Sequence, residues 1–179
     1  MSPDVFPTVV FPQGYQLERL ARHHPRKQFV CGEIAVDEWL HSRALQHQVK
    51  HLSVTKVVLD ADGQIAGYFT LATGQVDFGD LPADLARHLP KRVLPVAILA
   101  WLGVSAAHQG QGLGTRLLAQ ALRDCYDAGR TFAFVAVMLD CLNEAAKSFY
   151  LRWGFAELPG HPNRLFVSAA QLEALLGDS

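Results

Sequence analysis
The run His108-Gln-Gly-Gln-Gly-Leu-Gly114 concentrates more useful backbone chemistry than any other stretch of this chain. Gly110, Gly112 and Gly114 alternate, with Gln109 and Gln111 before and between them. Glycine lets a backbone come close to a ligand and adopt conformations that other residues resist. The first turn of a helix carries unpaired N–H groups, and its dipole favours an anion. A turn of this kind between a strand and a helix is therefore a cradle for a diphosphate. Two well-known phosphate loops do not fit. G-x-G-x-x-G would need glycine where Thr115 stands, and the P-loop would need a lysine that does not follow. His108 beside the turn either donates to the anion or fills the turn.

Covalent and metal chemistry have weaker signals. Cys31, Cys125 and Cys141 are odd in number, far apart and form no C-x-x-C. That argues against a disulfide framework and a zinc site, and points to a reduced, cytoplasmic compartment. His24 is near Cys31 in sequence, but proximity does not make a dyad, and the other two thiols sit in apolar contexts. His47 and His51 are four apart and could face one way on a helix, yet no glutamate completes H-E-x-x-H. No metal is expected.

The elements that must position the turn can be read around it. Val96 to Val104 is almost entirely apolar and predicts a strand covered on both faces. Leu113 to Ala128 predicts a helix whose apolar stripe is Leu117, Leu118, Ala121, Leu122 and Cys125. Gly129 ends it as a C-terminal cap. Thr131 to Leu139 predicts a second buried strand, and Glu144 to Trp153 a helix closed by Gly154. Short strands around 155–158 and 165–167 finish the sheet, and Ser168 caps a last helix. Earlier, residues 1–14, with Pro3, Pro7 and Pro12, read as an extended lead-in. Tyr15 to Ala21 predicts a strand, and Asp37 to Val49 a helix from the spacing of Trp39, Leu40, Ala44, Leu45 and Val49. Thr55 to Leu59, a hairpin at Asp60–Gly63 and a return strand over 64–76 follow. Residues 79–95 read as an irregular excursion with a short helix at 83–89. The hairpin implies antiparallel strands and the second half a parallel pair, so the class is α/β in the α+β mixed sense.

Composition sets the bounds. The chain has 179 residues, and half are apolar, enough for the core of one domain. Sixteen basic against seventeen acidic side chains leave a net charge of −1, which excludes a globally basic nucleic-acid binder. The charge is uneven: Arg19 to Lys56 holds seven Lys/Arg, three Asp/Glu and five of the eight histidines. That stretch is either a solvated helical face or a groove for an anionic substrate. No apolar run approaches the ~20 residues that cross a bilayer, and Met1-Ser-Pro-Asp4 is not a signal peptide.

Gln109-x-x-Gly112-x-Gly114 resembles the Q/R-x-x-G-x-G/A pattern of the GNAT acetyltransferases. Asn143-Glu-Ala-Ala-Lys-Ser-Phe-Tyr-Leu-Arg-Trp-Gly-Phe155 resembles that family's N-x-x-A-x-x-F-Y-x-x-x-G-F helix. Phe29-Val-Cys-Gly32, Val36-Asp-Glu-Trp-Leu40, Ala44 and Gly67-Tyr-Phe-Thr-Leu71 resemble the start of the toxin-like GNAT branch. The resemblance runs from about Phe29 to Val167. It implies the GNAT fold, a central mixed, mostly antiparallel sheet with a splayed parallel strand pair flanked by helices. It also implies one acetyltransferase domain over residues 1–179.

Acetyl-CoA is then the expected cosubstrate, lying where strand 96–104 splays from strand 131–139. The resemblance implies that the backbone of Leu102, Gly103 and Val104 pairs with the pantetheine arm. The backbone of Gln109, Gly110, Gln111, Gly112, Leu113, Gly114 and Thr115 holds the diphosphate, and Asn143 and Phe149 line the other wall. An N–H in the 102–104 stretch would polarise the thioester carbonyl, worth roughly 3 kcal/mol per donor. Tyr150 is the expected general acid for the leaving thiolate. The branch implies transfer to the amine of aminoacyl-tRNA, a ribbon-helix-helix antitoxin partner and, often, a homodimer. A small-molecule, peptide or protein amine is the alternative acceptor, and a CoA-binding protein without chemistry the alternative class.

Overall fold
The computed structural model describes residues 9–177; Pro3 and Pro7 of the expected lead-in lie outside them. In chain order the elements are β1 (Gln16–Arg19), α1 (Ile34–Glu38), α2 (Ala44–Val49), β2 (Val54–Leu59), β3 (Ile65–Asp77) and α3 (Ala83–Ala86). There follow β4 (Val93–Val104), α4 (Leu113–Gly129), β5 (Ala136–Asp140), α5 (Glu144–Arg152), β6 (Ala156–Leu158), β7 (His161–Ser168) and α6 (Ala169–Leu176). The strand order is β1-β2-β3-β4-β5-β7-β6. Pairing is mostly antiparallel, with the parallel partners Ala97↔Val137 and Ile98↔Met138 joining β4 to β5. This is the mixed α/β fold that the resemblance implies. No helix among the described residues is long and apolar enough to cross a membrane.

Two compact units share β3, β4 and α4. The first takes residues 9–72 and 99–121. Its core is Leu20, Phe29, Val36, Trp39, Leu40, Ala44, Val57, Ile65 and Tyr68. Several polar groups inside it are paired, as burial favours. Tyr68 donates to Val36 O at 2.6 Å, and Trp39 donates to Thr70 Oγ1, which meets Thr55 Oγ1 at 2.7 Å. Gln48 donates to Leu20 O and accepts from Thr55 N–H. Gly67 brings β3 against the first turns of α4. A Cβ there would stand 2.6 Å from Leu117 Cδ1 and 3.1 Å from Gly103 O.

The second unit takes residues 73–98 and 122–177. Val76, Leu81, Leu94, Val96, Ala136, Met138, Leu158 and Phe166 form its core. Ser168 opens α6 with a capping box, accepting from Gln171 N–H while the Gln171 side chain accepts from Ser168 N–H.

Several expectations change. The helix read at 37–49 begins at Ile34 and passes through a π turn at Trp39–Arg43. It ends at Val49, and His51 beyond it has φ 58°, so His47 and His51 do not share a helical face. The strand read from Thr131 begins only at Ala136. Thr131 and Phe132 donate to Ala128 O in the turn that ends α4, and Phe132 is 81% exposed. Apolar composition there mimicked a strand that helix termination forbids. The helix read at 83–89 stops at Ala86. Gly129 closes α4 for reasons of packing: a Cβ would stand 3.0 Å from the Phe134 ring.

Candidate active site
The end of β4 and the start of α4 belong to the first unit, and neighbouring strands and loops fix the turn between them. Ser105 N–H donates to Ala66 O and Ala106 N–H to Val30 O, both at 2.8 Å. Gln109 Nε2 donates to Cys31 O at 2.7 Å and to Val104 O at 2.9 Å. Its side-chain N–H groups are therefore a brace, which leaves the backbone N–H as its donor for an anionic ligand. His108 is also turned inward. Its Nε2 meets Asp60 Oδ2 at 3.2 Å, and its ring sits edge-on to Tyr15. Asp60 Oδ1 meanwhile accepts from the N–H groups of Asp62 and Gln64, holding the β2–β3 hairpin. Of the two roles open to His108, turn-filling is the one its side chain performs.

With those side chains directed inward, the backbone faces out. Residues 109–112 are exposed. Gly110 and Gly112 have φ 75° and 78°, and a Cβ at either would meet nothing within 4 Å. The left-handed backbone explains the glycines, and the open space above them gives room for a ligand. The first helical bond is Arg116 N–H to Gly112 O, so the amides ahead of it have no acceptor within the helix. Leu113 is buried as an anchor, while Gly114 and Thr115 are half-buried in the first turn. Leu102 and Val104 are half-buried on β4, and between them Gly103 is pressed against α1. A Cβ at Gly103 would stand 2.6 Å from Val36 Cγ1.

Asn143, Phe149 and Tyr150 belong to the second unit. Asn143 caps α5, its Oδ1 accepting from Ala146 N–H at 2.8 Å. Tyr150 is buried at 9% exposure, edge-on to Phe149 and Phe155. Burial, and secondarily the nearby Cys141, push its phenol well above the ordinary tyrosine range. The phenol therefore holds its proton throughout the physiological range. Phe149 is half-buried, with the Arg152 guanidinium over its ring.

The thiols are poor nucleophiles. Burial, with Asp37 beside it, raises Cys31 to about 11, and burial raises Cys125 to about 12. Cys141 is also raised, again chiefly by burial. Glu18, His23 and His24 place three ligand-type atoms close together. However, His24 Nδ1 accepts from Ala21 N–H, so its proton lies on Nε2, which donates to Glu18 at 2.7 Å. With the Nδ1 lone pair committed to the backbone, Nε2 offers no lone pair to a metal.

The acetyltransferase (GNAT) family profile matches residues 17–155 of the chain. The chain belongs to the GNAT acetyltransferase family. It is an N-acetyltransferase, and the GNAT match runs through both units, from β1 to the residue after Gly154. The tRNA-acetylating toxin of Mycobacterium tuberculosis (strain ATCC 25618 / H37Rv) is 34% identical over 150 residues, covering 84% of this chain and 89% of that protein. AtaT complexed with acetyl-methionyl-tRNAfMet has a TM-score of 0.83 at 25% identity, covering 90% of this chain and 98% of that one. AtaTR bound with AcCoA has a TM-score of 0.80 at 26% identity, with coverage of 90% and 98%.

Sequence reading missed two features of this GNAT chain. Nothing in the sequence joins Asp60 to His108. Trp39, read for its helical spacing and its place in the branch resemblance, also stacks on Trp101 at 5.2 Å with 14° between the rings.

Proposed function
We propose that this GNAT protein moves the acetyl group of acetyl-CoA onto the α-amino group of an aminoacyl-tRNA, as the toxin of a toxin–antitoxin pair. One observation carries the donor half: Gly110 and Gly112 are left-handed, unobstructed and immediately ahead of α4. Open amides at a helix start suit a diphosphate. In this reading the backbone of 109–115 holds the diphosphate and that of Leu102, Gly103 and Val104 runs beside the pantetheine arm. Asn143 and Phe149 also serve acetyl-CoA in this reading, and residues 1–179 work as one acetyltransferase domain.

The amine nitrogen attacks the thioester carbonyl, an N–H of the 102–104 stretch steadies the oxyanion, and the C–S bond breaks. Tyr150 passes its proton to the departing sulfur, the surplus proton on the attacking nitrogen leaves to solvent, and Tyr150 regains a proton from solvent. Burial keeps the phenol in its acid form at the pH of the reaction, ready to donate when the sulfur departs. An α-amine of pKa ~8 is about one-tenth neutral at pH 7, so positioning can replace a dedicated base.

The acceptor half rests on the likeness to the tRNA-acetylating toxin, together with the cationic stretch from Arg19 to Lys56. A ribbon-helix-helix antitoxin, association with a second copy and a cytoplasmic setting belong to the same role. Incubation with labelled acetyl-CoA tests it, with charged tRNA, deacylated tRNA and a panel of small amines as acceptors. Label in the charged tRNA alone supports the reading. Label confined to small amines moves the protein to that class.

A further inference from the structure
One face of β4 carries an aromatic stack that the acetyl-transfer chemistry does not use. Residues 101 and 103 share one face of the strand, about 6.5 Å apart. Gly103 on that face is pressed against Val36, Tyr68 and Phe29. Trp101 stacks on Trp39, and His47 sits edge-on to Trp39 at 4.7 Å. Trp39 is fixed from behind: its Nε1 donates to Thr70 Oγ1 at 3.0 Å, and it lies in the π turn between α1 and α2. π turns recur at functional sites. Trp39 is buried and Trp101 half-buried, so the outer ring of a rigid stack reaches solvent.

Charge accompanies the rings. His47 has Arg43 four residues before it and Lys50 three after, and both of these cations are exposed. A partly exposed indole held in a stack matches the chemistry of a nucleotide: a base stacks on the ring.

We propose that Trp101, backed by Trp39, is the platform on which the terminal adenine of the aminoacyl-tRNA stacks. The proposal rests on the aminoacyl-tRNA reading above. It adds that the enzyme recognises the nucleoside carrying the amino acid as well as the amine. Stacking there would hold the acceptor's end two residues from Gly103, beside the stretch assigned to the thioester.

The test compares wild type with W101A and W101F. Acetyl-CoA should raise the melting temperature of all three equally, establishing that fold and donor site survive. For a charged tRNA, W101A should raise KM roughly 10- to 100-fold, and W101F should recover most of the loss. For methionine amide, which has no base, KM should not change. Separately, adenosine monophosphate should quench wild-type tryptophan fluorescence and leave that of W101A unquenched. The platform is overturned if W101A leaves the tRNA KM unchanged, raises the amide KM equally, or is quenched like wild type. If wild type acetylates no charged tRNA but is still quenched through Trp101, the acceptor reading fails and the nucleoside platform stands. If neither occurs, both fail.

Discussion
Replacing Tyr150 by phenylalanine removes one oxygen from a ring whose packing is otherwise kept. The ring is 9% exposed and wedged edge-on between Phe149 and Phe155, contacts that phenylalanine reproduces. Losing one hydrogen-bonding group costs on the order of 1 kcal/mol of stability, so the melting temperature should move by only a few degrees. The catalytic loss should be much larger. A positioned general acid contributes ~10²- to 10⁴-fold, or about 3–5 kcal/mol of barrier. Because Tyr150 acts on the departing sulfur, the loss should fall on kcat, with KM for acetyl-CoA near that of wild type. The pH profile is informative too. Wild-type rate should rise from pH 6 to 8 as the amine deprotonates, with no fall up to pH 9, because burial keeps the phenol protonated. Stopped-flow release of free CoA measures both quantities. A Y150F enzyme that turns over at the wild-type rate across this range, with an unchanged melting temperature, would refute the general-acid assignment.

Gly67→Ala should destabilise the fold by about 1–3 kcal/mol, because its Cβ would come within 2.6 Å of Leu117 Cδ1; chemical denaturation gives the value, and no change would contradict the close approach of β3 to α4. His108→Ala should raise KM for acetyl-CoA roughly tenfold with little change in kcat, since it frees the turn from Asp60. His108→Gln, which keeps a donor at similar reach, should restore it; equal loss in both variants would remove the tether from the account. Stability should decline as pH rises above about 9, followed by the melting temperature from pH 7 to 10.5. Tyr68, Tyr150, Cys31 and Cys125 all hold their protons more tightly when folded, so their contribution is complete below the unfolded pKa values of ~8.5–10 and is lost as pH climbs toward the folded ones. A flat profile would contradict their burial.

The parts of the fold that were legible in the sequence are those set by local pattern. β4 and α4 announce themselves through an uninterrupted apolar run and a stripe at helical spacing, and Leu117, Leu118, Ala121, Leu122 and Cys125 are all buried. Ser168 as a cap was legible because capping involves neighbours three residues apart. The failures have physical causes of the opposite kind. Thr131 to Val135 has strand composition, but the bonds that end α4 take its first amides. Gly129 was legible as the end of α4, and the position of the Phe134 ring adds that a side chain there would be crowded. Asp60 signalled a hairpin correctly, yet its second oxygen meets a histidine 48 positions along the chain, which no local pattern encodes. The stack of Trp39 on Trp101 is non-local in the same way.

The central claim is that acetyl leaves acetyl-CoA for the α-amine at the end of a charged tRNA. Mass spectrometry of the 3′-terminal nucleoside, released by nuclease after incubation with protein, acetyl-CoA and charged tRNA, tests it most directly. The expected product is an N-acetylaminoacyl-adenosine, heavier than the starting nucleoside by one acetyl group and formed roughly 100-fold or more slowly when Y150F replaces wild type. An unmodified aminoacyl-adenosine, alongside acetylation of a free small amine in the same mixture, would contradict it.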